Sequence, residues 1–571
     1  MRNAWGARAG LAASLFLLGA PGCGPEAEPG APVAGAPTSR PWLVDVTQGS
    51  GIDFVHETGA AGNLHLPEIM GGGAALLDVD GDGDLDAFLT NGGHEPGARG
   101  ASPAANRLFR QEAGGTFVDV TAASGLAGDS AYGLGVAAGD ADNDGDLDLY
   151  LTGYGADRFY RNRGDGSFED ATDRVGAGAP AFSTSAVFCD YDADGWLDLY
   201  VARYVRYDPK RRCADAAGRR DYCTPLEFEP EPDLLLHNDG DGGFTDVTLR
   251  AGIAARPAAG LGVVCDDFDG DGLQDFYVAN DKHANQLWIN QGGGVFRDQA
   301  VMRGAAYGVD GRAEAGMGVV AADLDGDGDV DLHVTNIENE ANTVYRNLGG
   351  GLFEDATAAS GLVPPTLPLT GFGVAAADLD LDGDLDLLVA NGRVLRRGTA
   401  AAGPGDPWEA YAEPNLLLAN DSGVFAARAD LAPDFTRPRG VSRGLATGDV
   451  DGDGDVDLLL ARAQSTARLY RNDAPRRGTG LLVRAFDPDL DRDAVGARVS
   501  LAVGGKTLVR TVSAGGSYLS SNDLRTHFGF DGAVRPDWIE VRWPDGRRER
   551  FGVEPADRVL TVRRGQGRPV P

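Results

Sequence analysis

Histidine is scarce in this chain: 7 among 571 residues, and no spacing between them points to catalysis. A nucleophile elbow, a zinc-ligand motif and a phosphate-cradling glycine loop are all missing, so the usual signatures of an enzyme are absent. Basic residues are outnumbered, with 51 Lys and Arg against 86 Asp and Glu, for a net charge of −35. That balance argues against nucleic acid as a partner, because phosphate backbones need basic patches. Beyond the N-terminus no apolar run is long enough to cross a membrane. The chain is therefore expected to be neither an enzyme nor a nucleic-acid binder, and to meet a membrane only through its N-terminus.

What the sequence has in abundance is aspartate in one arrangement. The pattern D-x-D-x-D-G-x-x-D occurs seven times, each time between two apolar runs. Calcium is a hard cation that takes six to eight oxygen ligands, and a short flexible loop rich in carboxylates supplies them. In the first copy Asp78, Asp80, Asp82 and Asp86 present carboxylates from loop positions 1, 3, 5 and 9, and Asp84 offers its carbonyl from position 7. The same roles fall to Asp140, Asp142, Asp144, Asp148 and Asp146 in the second copy, and to Asp190, Asp192, Asp194, Asp198 and Trp196 in the third. They fall to Asp267, Asp269, Asp271, Asp275 and Leu273 in the fourth, and to Asp323, Asp325, Asp327, Asp331 and Asp329 in the fifth. Asp378, Asp380, Asp382, Asp386 and Asp384 form the sixth, and Asp449, Asp451, Asp453, Asp457 and Asp455 the seventh. Variation at position 7 is expected if only its carbonyl binds. Glycine holds position 6 throughout, where a sharp turn needs positive φ. An EF-hand would need a Glu at loop position 12 and flanking helices; the first copy has Leu89 there, inside a β-rich run. Up to seven Ca²⁺ ions are expected. The loop aspartates alone nearly match the net charge, so the acidity is metal-ligand chemistry more than a general acidic surface.

Four short β-rich runs accompany each loop. A small-residue run such as Gly133–Ala138 precedes it and a run such as Asp148–Thr152 follows it. A third run (Arg158–Asn162) and a fourth (Phe168–Thr172) complete the unit. Four-stranded units in tandem predict a β-propeller, here of seven blades, with all loops on one face and the small first-strand residues lining a central channel. The seventh unit lacks a fourth run after Asn472, whereas Trp42–Thr47 matches Phe117–Thr121, so the N-terminal strand is expected to complete the last blade. Insertions lengthen some units, chiefly Tyr204–Pro232 and Thr399–Pro414.

Met1–Gly22 reads as a secretory signal, with Arg2 and Arg8 before the apolar Leu11–Leu18. Gly19–Cys23 is similar to a bacterial lipobox, which leaves two readings open: cleavage before Cys23 with lipidation of its thiol, or ordinary signal cleavage nearby. Residues 23–41 form a Pro/Ala/Gly/Glu tether. The protein is expected to be exported, as an outer-membrane lipoprotein or in secreted or periplasmic form. Cys213 and Cys223 lie in one insertion and are expected to pair, as an oxidising compartment allows. Cys189 and Cys265 precede the third and fourth loops; a disulfide and two buried thiols are both open. After residue 473 the repeat stops, and runs at 481–486, 497–503, 506–512, 538–543 and 558–562 predict a small β-sandwich-like module over 474–571, rich in Arg. It is either a cap on the acidic propeller (42–473) or a ligand-binding piece.

The repeats resemble FG-GAP/VCBS-type propeller repeats, as in integrin α-chain heads; Gly371-Phe372-Gly373-Val374 carries the name-giving fragment. Asp45–His56 and Leu66–Gly73 resemble the opening of cartilage acidic protein-like proteins. Gly496–Val499, Gly515–Ser520, His527-Phe528-Gly529 and Val541–Gly546 resemble the ASPIC/UnbV domain that ends those proteins. The resemblance implies a secreted calcium-binding propeller and little about activity. The expected function is a protein- or glycan-binding, adhesion-type module of the cell envelope. Its candidate contacts lie at the mouth opposite the loops: Asn91, His94, Asn280, Asp281, His283, Asn336, Glu338, Asn391 and Glu314. The bland alternative for the Asn and Asp residues is turn capping. Two other functions stay open: a polysaccharide-acting enzyme using His94 and His283 with Glu314 or Glu338, and a structural factor docked through the Arg-rich module.

Overall fold

Every aspartate loop joins two antiparallel strands in one register. In the first unit Ala74–Leu77 runs into the loop and Asp86–Leu89 leaves it, with Leu77 opposite Asp86. The same closing pair recurs as Gly139 with Asp148, Cys189 with Asp198, Asp266 with Asp275, Ala322 with Asp331, Ala377 with Asp386 and Gly448 with Asp457. A third strand (Arg107–Glu112) and a fourth (Thr116–Asp119) complete the first unit. In this computed structural model residues 40–93, 105–126, 132–176, 179–215, 217–396, 406–553 and 558–570 are described. The expected signal, the tether up to residue 39, Cys23 and His94 lie outside them.

The repeated part is an all-β, propeller-like array. Five of its sheets are four-stranded, and an eight-stranded sheet joins two further units where Ala181 and Phe182 pair with Gly155 and Tyr154. First strands neighbour one another in chain order, and Ala74–Leu77 also lies against Ser442–Gly448 of the last unit, so the order is cyclic. The expected closing strand is present. Leu43–Asp45 pairs with Arg468–Asn472, placing Val44 opposite Arg471. Thr47 then accepts the Leu469 amide at 2.9 Å, as Thr121 accepts that of Leu108 at 3.0 Å.

First strands carry small residues because their backbones crowd together. A Cβ on Gly135 would sit 2.9 Å from the Thr184 carbonyl oxygen and 3.2 Å from Leu519 Cα. Leu519 belongs to the C-terminal part, one segment of which enters the channel. That part has one sheet built on Thr479–Asp487 and another ordered Lys506–Thr511, Arg498–Val503, Trp538–Arg542, Arg548–Phe551, Arg568–Val570. The two share a core that includes Val483, Phe528, Val499, Val541 and Trp543. Between Thr511 and Thr526 the chain leaves this core and enters the array. Ser517 exchanges backbone bonds with Val319, Ser521 bonds to Ala74 and Leu76, and Leu519 accepts the Val136 amide at 3.2 Å. Leu519 N donates to Ser185 Oγ at 3.0 Å, Val374 N to Ser517 Oγ at 3.1 Å and Thr447 N to Asn522 Oδ1 at 2.9 Å. The two parts, expected as separate domains, consequently form one compact unit from Arg40 onward.

The described parts of both expected insertions fold over the end of the channel away from the loops. Tyr204, Tyr222 and Tyr411 cluster there with Leu66, Ile69, Met70 and Tyr518. Cys213 and Cys223 form the expected disulfide. Cys189 and Cys265 also pair, 76 residues apart, joining first strands of adjacent units. Closing a loop of that length restricts the unfolded chain by about 4 kcal/mol in the loop-entropy account. The double variant Cys189→Ala, Cys265→Ala is expected to lose much of that in a denaturant titration.

Candidate metal centres

Position 6 turns each loop. Gly83, Gly145, Gly195 and Gly328 have φ of +95°, and Gly383 +100°. That turn aims the Gly83 amide at Asp78 Oδ2, 3.0 Å away, and the Asp84 amide at Asp82 Oδ1, also 3.0 Å. Position 4 is left-handed too, even where it is Asn143, Ala193 or Leu381, a demand the sequence pattern did not reveal.

Position 9 is the buried anchor. Asp86 Oδ2 accepts the Val79 amide at 3.0 Å and Oδ1 accepts that of Gln111 at 2.7 Å. Asp148, Asp331 and Asp457 repeat this pair of bonds. Burial raises the Asp86 carboxyl to about 7, against the pull of those amides and with help from Asp80 and Asp78. Asp275 rises to about 8 and Asp198 to about 9 for the same first reason, burial. A cation beside such a group would favour its ionised form.

The residues fit a hard divalent cation. Ligand atoms of Asp78, Asp80 and Asp86 lie within 4.8 Å of one another, as do those of Asp140, Asp142 and Asp148, of Asp190, Asp192 and Asp194, and of Asp267, Asp269 and Asp271. Asp80 Oδ1, Asp142 Oδ1 and Asp267 Oδ1, in the first, second and fourth loops, are buried without a hydrogen-bond partner, as is Asp455 Oδ1 at position 7 of the seventh. Anionic oxygens converging with lone pairs unused are what such an ion requires. Arginines balance the outer side of several loops: Arg346 meets Asp325 at 2.7 Å, Arg303 meets Asp269 at 2.9 Å and Arg477 meets Asp380 at 3.0 Å. The C-terminal part docks on the same loops. Arg542 lies 3.1 Å from Asp267, Arg476 3.0 Å from Asp455, and His527 Nε2 donates to the Gly454 carbonyl at 3.1 Å.

A further set of residues ties loop to loop. Asn162 Nδ2 donates to the Val79 carbonyl of the preceding unit at 2.9 Å. Asn238, Asn290, Asn347, Asn420 and Asn472 reach Ala141, Tyr191, Phe268, Leu324 and Leu379 in the same way. Gln111 completes the circuit on Val450 at 3.0 Å. The recurring Asn at the end of the third strand was the available signal. Asn347→Ala leaves the Phe268 and Val330 carbonyls without this donor. It is expected to cost about 2 kcal/mol or more in a denaturant titration, because buried unpaired groups are expensive.

At the opposite mouth the bland reading describes the asparagines. Asn91, Asn280, Asn336 and Asn391 are buried and donate to the carbonyls of Ala105, Ala284, Ala341 and Pro414. Asp281 accepts from Tyr204 at 2.6 Å, His283 Nδ1 faces the Asp281 carbonyl at 3.0 Å and Glu338 pairs with Arg393. Glu314, raised to about 7 by burial, accepts from Thr343 at 2.7 Å and Asn336 at 3.2 Å. The structure brings Glu314 and Asn336 together and turns His283 onto its own backbone.

These features define a propeller-like protein of FG-GAP-like repeats. The FG-GAP-like repeat model matches residues 78–151, 140–201, 267–334 and 323–389, and the ASPIC and UnbV model matches 488–569. The chain carries both. It is similar to Cartilage acidic protein 1 of Mus musculus, 26% identical over 555 residues covering 89% of this chain and 76% of that protein. The Homo sapiens protein of the same name is 24% identical, covering 89% and 74%. Among solved structures, an Agrocybe aegerita lectin recognising non-reducing terminal N-acetylglucosamine aligns over 64% of this chain and 84% of its own, at 18% identity and a TM-score of 0.38.

Proposed function

We propose that the protein is an exported member of the cartilage acidic protein-like group: a seven-bladed, calcium-loaded propeller with its C-terminal sandwich docked on the loop face and one segment of it threaded into the channel. It acts as a protein- or glycan-binding module of the cell envelope, held through a lipid on Cys23 after removal of residues 1–22. The observation that carries the metal reading is the cluster of orphaned carboxylate oxygens in loops of one shared register. The aspartates at positions 1, 3, 5 and 9 with the position-7 carbonyl hold the ion in each loop. Bound Ca²⁺ supplies positive charge that neutralises converging carboxylates and fixes the loop faces. The two disulfides support an oxidising compartment. The test is calorimetric titration of chelator-treated protein with Ca²⁺, followed by capture of partners from envelope extract and a glycan panel, with and without chelator. Several calcium equivalents and a chelator-eluted partner are expected; no calcium uptake defeats the reading.

A further inference from the structure

The five-stranded C-terminal sheet turns one face inward and one face outward. Ile539, Val541 and Phe551 face the core. The alternate residues share the other face, because side chains on a strand alternate. Register aligns them in rows. Arg498 lies opposite Arg542, which lies opposite Arg548. Ser500 lies opposite Glu540, then Arg550, then Arg568. Directly opposed like charges destabilise a sheet, yet this face places arginine against arginine on three neighbouring strand pairs.

Acids among the described residues meet several of these guanidinium groups. Arg542 is met by Asp267 at 3.1 Å. Arg548 and Arg550 both donate to one carboxylate, that of Glu540, through their Nε atoms at 2.7 Å each. Their side chains remain 44% and 42% exposed. Arg568 is exposed and makes no ion pair among the described residues. Arg550 also lies over the Trp538 ring, 4.1 Å from its centroid. The cationic edge stands on a chain of net charge −35.

We infer that this face, centred on Arg548, Arg550 and Arg568, docks a polysaccharide bearing carboxylates. Strands lie about 4.8 Å apart and alternate residues about 6.8 Å apart, a lattice of forks suited to a linear polyanion. Glu540 shows that carboxylates seat between these forks, and guanidinium pairs with carboxylate through two bonds at once. None of the exposed large apolar side chains among the described residues lies on this face, so it offers nothing to insert into a lipid layer. The Trp538 ring is covered by Arg550, so it offers no free stacking platform to a nucleic-acid base. The inference deepens the binding-module reading by naming a surface and a ligand class.

The experiment uses the calcium-loaded mature chain against immobilised polygalacturonate, with neutral dextran, anionic vesicles and single-stranded DNA alongside. Binding to polygalacturonate alone is expected, weakening between about 50 and 200 mM salt. The triple variant Arg548→Gln, Arg550→Gln, Arg568→Gln is expected to lose about tenfold or more in affinity. Arg568→Gln, which breaks no ion pair among the described residues, guards against misfolding and is expected to lose a smaller share at an unchanged melting temperature. Full affinity in a folded triple variant overturns the inference, as does equal binding to dextran or stronger binding to vesicles or DNA. If the triple variant still captures an envelope partner in calcium, this surface fails while the binding module stands.

Discussion

Treatment with a chelator is expected to lower the melting temperature by roughly 10 °C, and added Ca²⁺ to restore it. A ligand held tenfold above its Kd stabilises the folded state by about 1.4 kcal/mol per site, so seven sites give about 10 kcal/mol. Unfolding a chain of this length changes entropy by about 1.1 kcal/mol per kelvin, which converts that loss to the stated shift. Repulsion acts in the same direction. Without the ion, Asp78, Asp80 and Asp86 converge within 4.8 Å, and their neighbours repeat the arrangement around one face. The arginines of the C-terminal part, Arg476 and Arg542 among them, relieve only some of it. Scanning calorimetry with EDTA, then with excess Ca²⁺ or Mg²⁺, measures the effect. Mg²⁺ restores less, because it demands a small octahedral shell that these loops do not enforce. A melt that EDTA leaves in place rules out the metal reading.

The loops were legible because their geometry is local. Positive φ at Gly83 and its counterparts follows from a turn within nine residues, and the pairing of Leu77 with Asp86 follows from the strands on either side. The closing strand was legible from its likeness to other fourth strands, and Val44 does lie opposite Arg471. Contacts between distant segments were less so. Asn347 recurs at a fixed place in its own unit, but the carbonyl it reaches, that of Phe268, lies in the unit before. Whether Cys189 meets Cys265 depended on how closely two first strands approach, a property of the whole array. The mouth residues looked accessible because loops usually are. Aromatic residues of the insertions, Tyr204, Tyr222 and Tyr411, instead bury themselves over that end with Tyr518. Gly515–Ser520 was conspicuous as a motif, yet nothing local in it declares that it threads the channel.

That threading predicts that the repeats need the C-terminal part. A chain ending at residue 477 is expected to yield no stable folded array. Without the segment, the amides of Leu76, Val136 and Val319 lose their carbonyl partners and that of Val374 loses the Ser517 hydroxyl. All four residues are buried in the intact protein. Unpaired buried amides cost about 1–3 kcal/mol each, and the apolar cluster around Tyr518 would open to water as well. The single change Tyr518→Ala isolates one part of this. Tyr518 is fully buried, packs 4.9 Å from the Phe372 ring centroid and donates to the Met70 carbonyl at 3.0 Å. Removing its ring is expected to cost about 3–5 kcal/mol, as for other large buried aromatics. Denaturant titration of Tyr518→Ala and limited proteolysis of the truncated chain measure both effects. A truncated chain that melts cooperatively and resists protease at full-length concentrations would show that the repeats close without an occupant. The channel segment would then be a passenger in the array.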